Sequence, residues 1–260
     1  MAKYVRFEYN GVRFGELRGD QIIPLKGELP NFSATGDAPI PLSAVRLLAP
    51  VVPSKIVAVG PNYRAHLGGN PPPPRPYLWI KPTSALLDPE GEIRYPLSDS
   101  LHADVPMVCH ESELAIVIGR TTSNADVETA RSNIFGYSCI NDVSAGELTN
   151  MAAYLQSQYF VDGKVFDTFA PFGPAIVTDI DATDVRIQCR VNGETRQDHR
   201  TSDQIWGPAE LVALISRTLT LNPGDVIATG SPPGPGPLKK GDVVEVEIDG
   251  IGILRNRVSR

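Results

Sequence analysis

The sequence predicts a mainly β fold of the α+β class, in which two or three helices accompany many short strands. Short apolar runs alternate with turn residues along the chain, and 23 glycines and 24 prolines occur in its 260 residues. A hairpin pattern spans residues 185–200, where Asn192 and Gly193 form the turn between two strand-like runs. The helical patterns are too few to alternate with the strands, so the sequence does not indicate a βαβα arrangement.

Composition and charge restrict the functional classes. Hydrophobic residues make up 42% of the chain and charged residues 21%, which is enough for a sizeable core. A net charge of −6 argues against nucleic acid as a partner. The three cysteines lack any zinc-type spacing, so we expect neither disulfides nor a zinc site, and a reducing, cytoplasmic location. The longest apolar runs have the length of strands, so we expect no membrane segment.

The first 52 residues are expected to form a small β-rich N-terminal region. Their strand-like runs are separated by polar turns and occupy residues 4–9, 12–17 and 21–25. A segment flanked by prolines at 50–53 separates them from the main body, which we place at residues 53–260.

The main body begins with a buried-strand pattern at 55–59 and a Gly/Pro-rich loop at 68–76, whose four consecutive prolines hold it extended. A helix is predicted at 124–135, with Ser123 or Asn124 as its N-cap. A second is predicted at 208–219, with Pro208 in its first turn. Further strands are predicted at 77–80, 111–118, 137–142, 225–229, 243–248 and 251–258.

Glu111 and Glu113 are the most informative pair in the chain. Two residues apart on a strand, both carboxylates point to the same face, and burying two such charges without a partner is costly. A hard divalent cation such as Mg²⁺ or Mn²⁺ removes that cost, and Asp142, at the end of the next predicted strand, is a suitable third ligand. The alternative is a solvated strand face, but the pair leads directly into an apolar run.

Six segments, in order along the chain, resemble the fumarylacetoacetate hydrolase family. They are GPNYRAH at 60–66, KPTS at 81–84, HESEL at 110–114, GY at 136–137 with NDVSA at 141–145, GKVFDTFAPFGP at 163–174 and ATGSP at 228–232. The resemblance implies a rolled mixed β-sheet, a homodimer, and Mg²⁺ or Mn²⁺ on Glu111, Glu113 and Asp142. It also implies a small oxo-acid substrate, since members hydrolyse acylpyruvates, decarboxylate oxaloacetate-like acids, or isomerise and hydrate dienoic oxo acids.

The resemblance also assigns roles to individual residues. Lys164 matches the active-site lysine, which donates to an oxyanion or holds a substrate carboxylate. His66 matches the histidine of the lid segment, a candidate general acid or base. Thr229, Gly230 and Tyr63 are assigned to substrate binding.

Other matching positions have weaker assignments. We interpret Lys81 mainly as structural support. Tyr159, Phe160 and Phe172 are candidates to shape the pocket, with core packing as the alternative.

Three features depart from the family pattern. The glutamate that family hydrolases carry three residues after the lid histidine is Gly69 here. The usual Arg, Asp and Gln after the third metal ligand are replaced by Gly146, Glu147 and Thr149. The prolines at 71–74 stiffen a segment in which a mobile lid is expected.

These departures leave three functional hypotheses. The first is a metal-dependent enzyme that hydrolyses or decarboxylates a 2-oxo or β-dicarbonyl acid through a stabilised enolate. The second is an isomerase, tautomerase, cyclase or lyase of a specialised biosynthetic pathway, because the water-activating and anion-binding positions are glycines. The third is an inactive family member that serves in binding or assembly.

Overall fold

A computed structural model describes residues 1–96, 107–145 and 163–259, and every structural statement below refers to these residues. Within them the chain is mostly β, with two α-helices and four short 3₁₀ turns. The predicted fold class is therefore confirmed.

The first half of the chain contributes eleven strands. These are β1 (Lys3–Glu8), β2 (Val12–Arg18), β3 (Gln21–Glu28), β4 (Asn31–Ala34), β5 (Ile40–Pro41), β6 (Arg46–Leu48), β7 (Ile56–Gly60), β8 (Tyr77–Lys81), β9 (Leu86–Leu87), β10 (Glu92–Arg94) and β11 (Val108–His110).

The second half contributes both helices and the remaining strands. These are β12 (Ser112–Ile118), α1 (Val127–Asn133), β13 (Ile134–Asn141), β14 (Ser144–Ala145), β15 (Ala170–Val177), β16 (Arg186–Val191), β17 (Glu194–Arg200), α2 (Pro208–Ser216), β18 (Val226–Ala228), β19 (Gly236–Leu238), β20 (Val243–Ile248) and β21 (Gly252–Ser259).

The largest sheet contains 13 of the described strands, in the order β4-β3-β2-β1-β15-β13-β12-β18-β7-β8, with β5, β6 and β9 pairing beside this path. A second sheet has the order β10-β21-β20-β16-β17, and a third the order β14-β11-β19. The predicted hairpin forms β16 and β17. The N-terminal strands belong to the largest sheet, because β1 pairs with β15, and a separate unit at residues 1–52 stays a prediction.

Strand β12 is buried along its whole length because both of its faces are covered. Ile116 and Ile118 pack in a cluster with residues of α2, whereas Ala115 and Val117 belong to the largest core cluster. Alternating side chains of one strand therefore enter two hydrophobic layers. The polar residues at the start of β12 are therefore attached to a strand that is packed on both faces.

The two helices are shorter than predicted. The N-cap of α1 is Asp126 and not Ser123 or Asn124. The Asp126 side chain accepts a hydrogen bond from the amide of Thr129 at 2.7 Å. The helix ends at Asn133, where the chain enters β13 directly. Pro208 begins α2 as predicted, but the helix ends at Ser216. In the described parts of the chain, no helix is long and apolar enough to span a membrane.

A candidate metal centre

The candidate centre lies where β12 meets β13. The two strands are antiparallel and pair Ser112 with Asn141. Glu111 and Glu113 lie on either side of Ser112, and Asp142 directly follows Asn141. The amide of Asp142 donates to the carbonyl of Glu111 at 2.9 Å. One ligand oxygen from each carboxylate lies within 4.8 Å of the others. The structure thus brings together the three predicted ligands, and metal binding by them stays a prediction.

The three carboxylates are held away from water. Asp142 is fully buried, Glu113 is 1% exposed, and the side chain of Glu111 is 13% exposed. Burial, followed by the charges of Asp142 and Glu111, raises the pKa of Glu113 well above its ordinary value. Without a cation, the fold therefore holds a carboxylate where its ionised form is unfavourable.

Two buried lysines partly compensate this charge. The Lys164 Nζ lies 2.6 Å from Glu111 Oε1 and 2.8 Å from Asp142 Oδ2. The Lys81 Nζ lies 2.7 Å from Asp142 Oδ1. Burial alone would raise the pKa of Asp142, but the two ammonium groups outweigh it and hold that pKa below its ordinary value. Burial lowers the pKa of Lys81.

The donor set fits a hard divalent cation. With all three carboxylates ionised and both lysines protonated, the cluster carries one net negative charge. The Oδ1 atom of Asp142 is buried and has no hydrogen bond, since its contact with Lys81 is an ion pair without hydrogen-bond alignment. Carboxylate oxygens with unused lone pairs are the ligands that Mg²⁺ and Mn²⁺ prefer.

Gly230 fixes the position of one carboxylate. Its amide donates to Glu113 Oε2 at 2.7 Å. Its φ is +94°, and a Cβ atom there would lie 2.8 Å from the Cβ of Asn62. Only glycine therefore allows the chain to approach this closely with its amide directed at the carboxylate. The residue assigned to substrate binding thus contacts a predicted metal ligand.

Thr229 and Tyr63 are buried, and their polar groups are directed into the protein. The Thr229 hydroxyl donates to the Leu114 carbonyl at 3.0 Å and accepts from Gln204 Nε2 at 2.9 Å. The Tyr63 hydroxyl lies near the Gln204 side chain without hydrogen-bond alignment. Burial raises the pKa of Tyr63, and the charge of Glu113 raises it further. A role for either residue in substrate binding stays a prediction.

His66 is not part of the buried cluster. It lies on an exposed 3₁₀ turn, Arg64–Leu67, and its ring makes no hydrogen bond or ion pair with any residue that the structure describes. Gly69, three residues later, is also exposed, and a Cβ atom there would meet nothing within 4 Å. The structure therefore does not bring the predicted acid or base into contact with the carboxylates.

Sequence reasoning missed several residues of the centre. Lys81 is interpreted from the sequence as support, yet it contacts Asp142 directly. The Trp79 ring centre lies 5.3 Å from Lys164 Nζ, and Ser144 Oγ donates to Glu111 Oε1 at 2.6 Å. Trp79 and Lys81 are the buried pair of β8, so alternation along that strand could have indicated a shared face.

Some sequence-based assignments lie outside the described residues. These are Gly146, Glu147, Thr149, Tyr159 and Phe160. Phe172 is described, and it is fully buried in the largest core cluster, which agrees with the packing alternative.

Two family models match the chain. The model described as fumarylacetoacetate (FAA) hydrolase C-terminal matches residues 55–259, and the model described as Rv2993c-like, N-terminal, matches residues 2–50. The first match covers the strands and loops that hold the three carboxylates and both lysines.

Similar proteins include enzymes of more than one kind. A mitochondrial oxaloacetate tautomerase of Xenopus laevis is 40% identical over 83% of this chain and 69% of its own length. The crystal structure of a 5-carboxymethyl-2-hydroxymuconate delta-isomerase from Mycobacterium smegmatis is 39% identical, covers 99% of both chains and has a TM-score of 0.88. A maleylpyruvate hydrolase from Sphingobium sp. SYK-6, solved with manganese(II) and pyruvate, is 31% identical, covers 99% of this chain and 98% of its own, and has a TM-score of 0.78. The chain is therefore an enzyme that belongs to the fumarylacetoacetate hydrolase family.

Proposed function

We propose that the protein is a divalent-metal-dependent enzyme that acts on a 2-oxo or β-dicarbonyl acid through a stabilised enolate. The observation that carries this proposal is the buried cluster of Glu111, Glu113 and Asp142 with Lys81 and Lys164. The three carboxylates would hold Mg²⁺ or Mn²⁺, and a similar hydrolase was solved with manganese(II) and pyruvate. Bound there, the cation would act as a Lewis acid on the 2-oxo carboxylate of the substrate.

The charges of the cluster favour an anionic substrate. Three carboxylates and two ammonium groups sum to one negative charge, and a divalent cation reverses the sign. Lys164 contacts two of the three carboxylates, so it is the side chain best placed to donate to a substrate oxygen next to them. Lys81 is fully buried and bonds to the carbonyls of Val143 and Lys164, which suits a supporting charge rather than substrate contact.

Among the reactions of this chemistry, we favour tautomerisation or isomerisation. A keto–enol interconversion moves one proton between carbon and oxygen and requires no activated water. A reaction without activated water suits this chain, because Gly69 occupies the position of the water-activating glutamate and the nearby His66 is exposed. It also agrees with the names of the tautomerase from Xenopus laevis and the isomerase from Mycobacterium smegmatis.

Hydrolysis or decarboxylation is the second candidate function. The similarity to a maleylpyruvate hydrolase favours it, because that protein is matched over nearly its whole length. Hydrolysis requires that a residue other than Gly69 activate the water. Decarboxylation needs only the stabilised enolate and a proton donor.

One set of assays distinguishes the two candidates. Purified protein is treated with EDTA, returned to Mg²⁺ or Mn²⁺, and supplied with enol oxaloacetate or with an acylpyruvate. We expect metal-dependent loss of the enol absorbance without release of pyruvate or CO₂. Cleavage of the acylpyruvate or rapid pyruvate release from oxaloacetate would instead identify a hydrolase or decarboxylase. Full turnover in EDTA would contradict the metal centre.

The homodimer and the cytoplasmic location implied by the sequence stay predictions. Size-exclusion chromatography with light scattering measures the first, and fractionation of the source cells measures the second.

A further inference from the structure

Gln197 is a buried side chain in an otherwise exposed strand. Strand β17 reads ETRQDHR, and Gln197 is its one fully buried residue, at 1% exposure. The strand belongs to the second sheet and contributes no predicted ligand. A buried amide is tolerated when both of its polar atoms have partners, so the partners of Gln197 show what it does.

Its carbonyl oxygen faces the ligand strand. Oε1 accepts from the Ser112 amide at 3.1 Å and from Ser112 Oγ at 2.8 Å, and His110 Nδ1 lies 3.2 Å away. Nε2 donates to Ser231 Oγ at 2.8 Å and to the Pro232 carbonyl at 2.7 Å. A backbone amide can only donate and a carbonyl can only accept, so the orientation of the Gln197 amide is unambiguous.

Both sets of partners adjoin the metal centre. Ser112 stands between Glu111 and Glu113 in the chain. Ser231 follows Gly230, whose amide donates to Glu113 Oε2 at 2.7 Å. A single side chain therefore connects the segment that carries Glu111 and Glu113 to the loop that orients Glu113.

We propose that Gln197 is a positioning residue of the metal centre. Its amide sets the spacing between the segment 111–113 and the loop at 230–232, and so determines how well the carboxylates converge. Among the described residues, Gln197 makes no hydrogen bond to Glu111, Glu113 or Asp142. This role rests on the proposed metal centre, and it deepens that proposal by naming a residue outside the sequence motif on which metal affinity depends.

The decisive variant is Gln197→Glu. Once ionised, a carboxylate still accepts from Ser112 and can accept from the Ser231 hydroxyl, but it cannot donate to the Pro232 carbonyl, so that bond to the loop is lost. The variant also adds a negative charge near the ligands. Electrostatics alone would make Mn²⁺ binding tighter, whereas loss of positioning makes it weaker. We expect the Mn²⁺ Kd, measured by isothermal titration calorimetry well below the melting temperature, to rise about 10-fold or more.

Asn256→Asp is the matched control. Asn256 is a buried amide that donates to the carbonyls of Asp88 and Gly91, at 3.0 and 3.1 Å, and none of these residues belongs to the metal centre. The change removes the same kind of donor and adds the same charge. We expect a lower melting temperature and a wild-type Mn²⁺ Kd, which separates loss of stability from loss of positioning.

Every outcome bears on the proposal. If the unaltered protein does not bind Mn²⁺, the metal centre and the role of Gln197 both fail. If it binds, and both Gln197→Glu and Ser231→Ala bind as tightly or more tightly, only the role of Gln197 fails. If Gln197→Glu does not fold, Ser231→Ala carries the test, because it removes one bond of the amide without adding charge. A raised Kd in Ser231→Ala supports the proposal, and an unchanged Kd overturns it.

Discussion

The buried cluster and the exposed turn that carries His66 are held by the fold in opposite ways. Glu113 and Asp142 have ion-pair or backbone partners from several separate segments of the chain. His66 and Gly69 lie on the surface, and a side chain added at Gly69 would meet no neighbour. The carboxylates are thus fixed by contacts that join separate segments of the fold, whereas residues of the turn can change with little effect on folding.

The difference suggests where enzymes of this family diverge. A cluster that requires correct strand register and several buried ion pairs tolerates few substitutions, since removal of one partner leaves an uncompensated charge. An exposed turn carries no such penalty. Differences in reaction between otherwise similar members are therefore expected in the turn, and the enolate chemistry proposed above is expected in the cluster.

The largest expected effect tests whether the charges of the cluster stabilise the fold. Lys81→Met removes a fully buried ammonium group 2.7 Å from Asp142 and leaves that carboxylate with Lys164 alone. We expect the free energy of unfolding, measured with urea in EDTA, to fall by about 3–5 kcal/mol.

Lys55→Met is the control for this substitution. Lys55 pairs with the buried Asp225, but that carboxylate keeps the amides of Ser54 and Asn222 and the Ser54 hydroxyl as donors. We therefore expect a smaller loss. An equal loss in both variants would show that the cluster is no more dependent on its charges than an ordinary ion pair.

The second prediction separates stability from function at one residue. Glu113→Gln keeps an acceptor for the Gly230 amide and removes a buried charge near two others. We expect metal-dependent turnover to fall more than about 100-fold, because Lewis-acid stabilisation is worth several kcal/mol. In EDTA at neutral pH, we expect a melting temperature above that of the wild type.

The pH dependence of that stabilisation follows from the raised pKa of Glu113. The folded chain binds this proton more tightly than the unfolded chain, so the wild type loses stability as the pH rises through the raised pKa. The stability advantage of the Glu113→Gln variant over the wild type should therefore grow with pH and vanish in acid. As a control, Glu247→Gln on β20 of the second sheet, where Glu247 pairs with Arg190, should change neither turnover nor metal binding. A lower melting temperature for Glu113→Gln at all pH values would contradict the account.

Much of the fold was predictable because local signals agreed with tertiary contacts. The hairpin of β16 and β17 has the expected turn, and the strand patterns that carry Glu111, Glu113 and Asp142 lie close to their predicted positions. Helix α1 differed because of its surroundings. Asn124 has a φ of +49°, which is not the extended conformation of an N-cap, and residues after 133 pair with β12 instead of continuing the helix.

The site was predictable only in part. Its carboxylates belong to a spaced motif, but the partners of those carboxylates come from distant segments. Lys81 reaches Asp142 from a strand far away in the sequence only because of sheet topology. Gln197 lies in a strand of polar residues whose pattern predicts exposure. No local signal distinguishes a buried amide from an exposed one in such a strand, since the burial is created by another sheet.

The smallest expected effect concerns the exposed turn. If the native reaction needs no activated water, Gly69→Glu should leave tautomerase turnover within about two-fold of the wild type, in line with the small effects of most surface substitutions. The space around Gly69 admits a side chain, although its φ of +86° strains any residue other than glycine.

Gly69→Gln controls for that strain, because it has the same size and backbone conformation without a carboxylate. The two variants should have equal melting temperatures, so any difference in turnover reports the carboxylate alone. Acylpyruvate cleavage that is higher in Gly69→Glu than in Gly69→Gln would show that the turn reaches the cluster during turnover and that His66 lacks only its acidic partner. A gain in the native reaction itself would show that water activation limits it, and the preference for tautomerisation would then be wrong. Equal activities would mean that the chemistry depends on the buried cluster and that the exposed turn is free to vary.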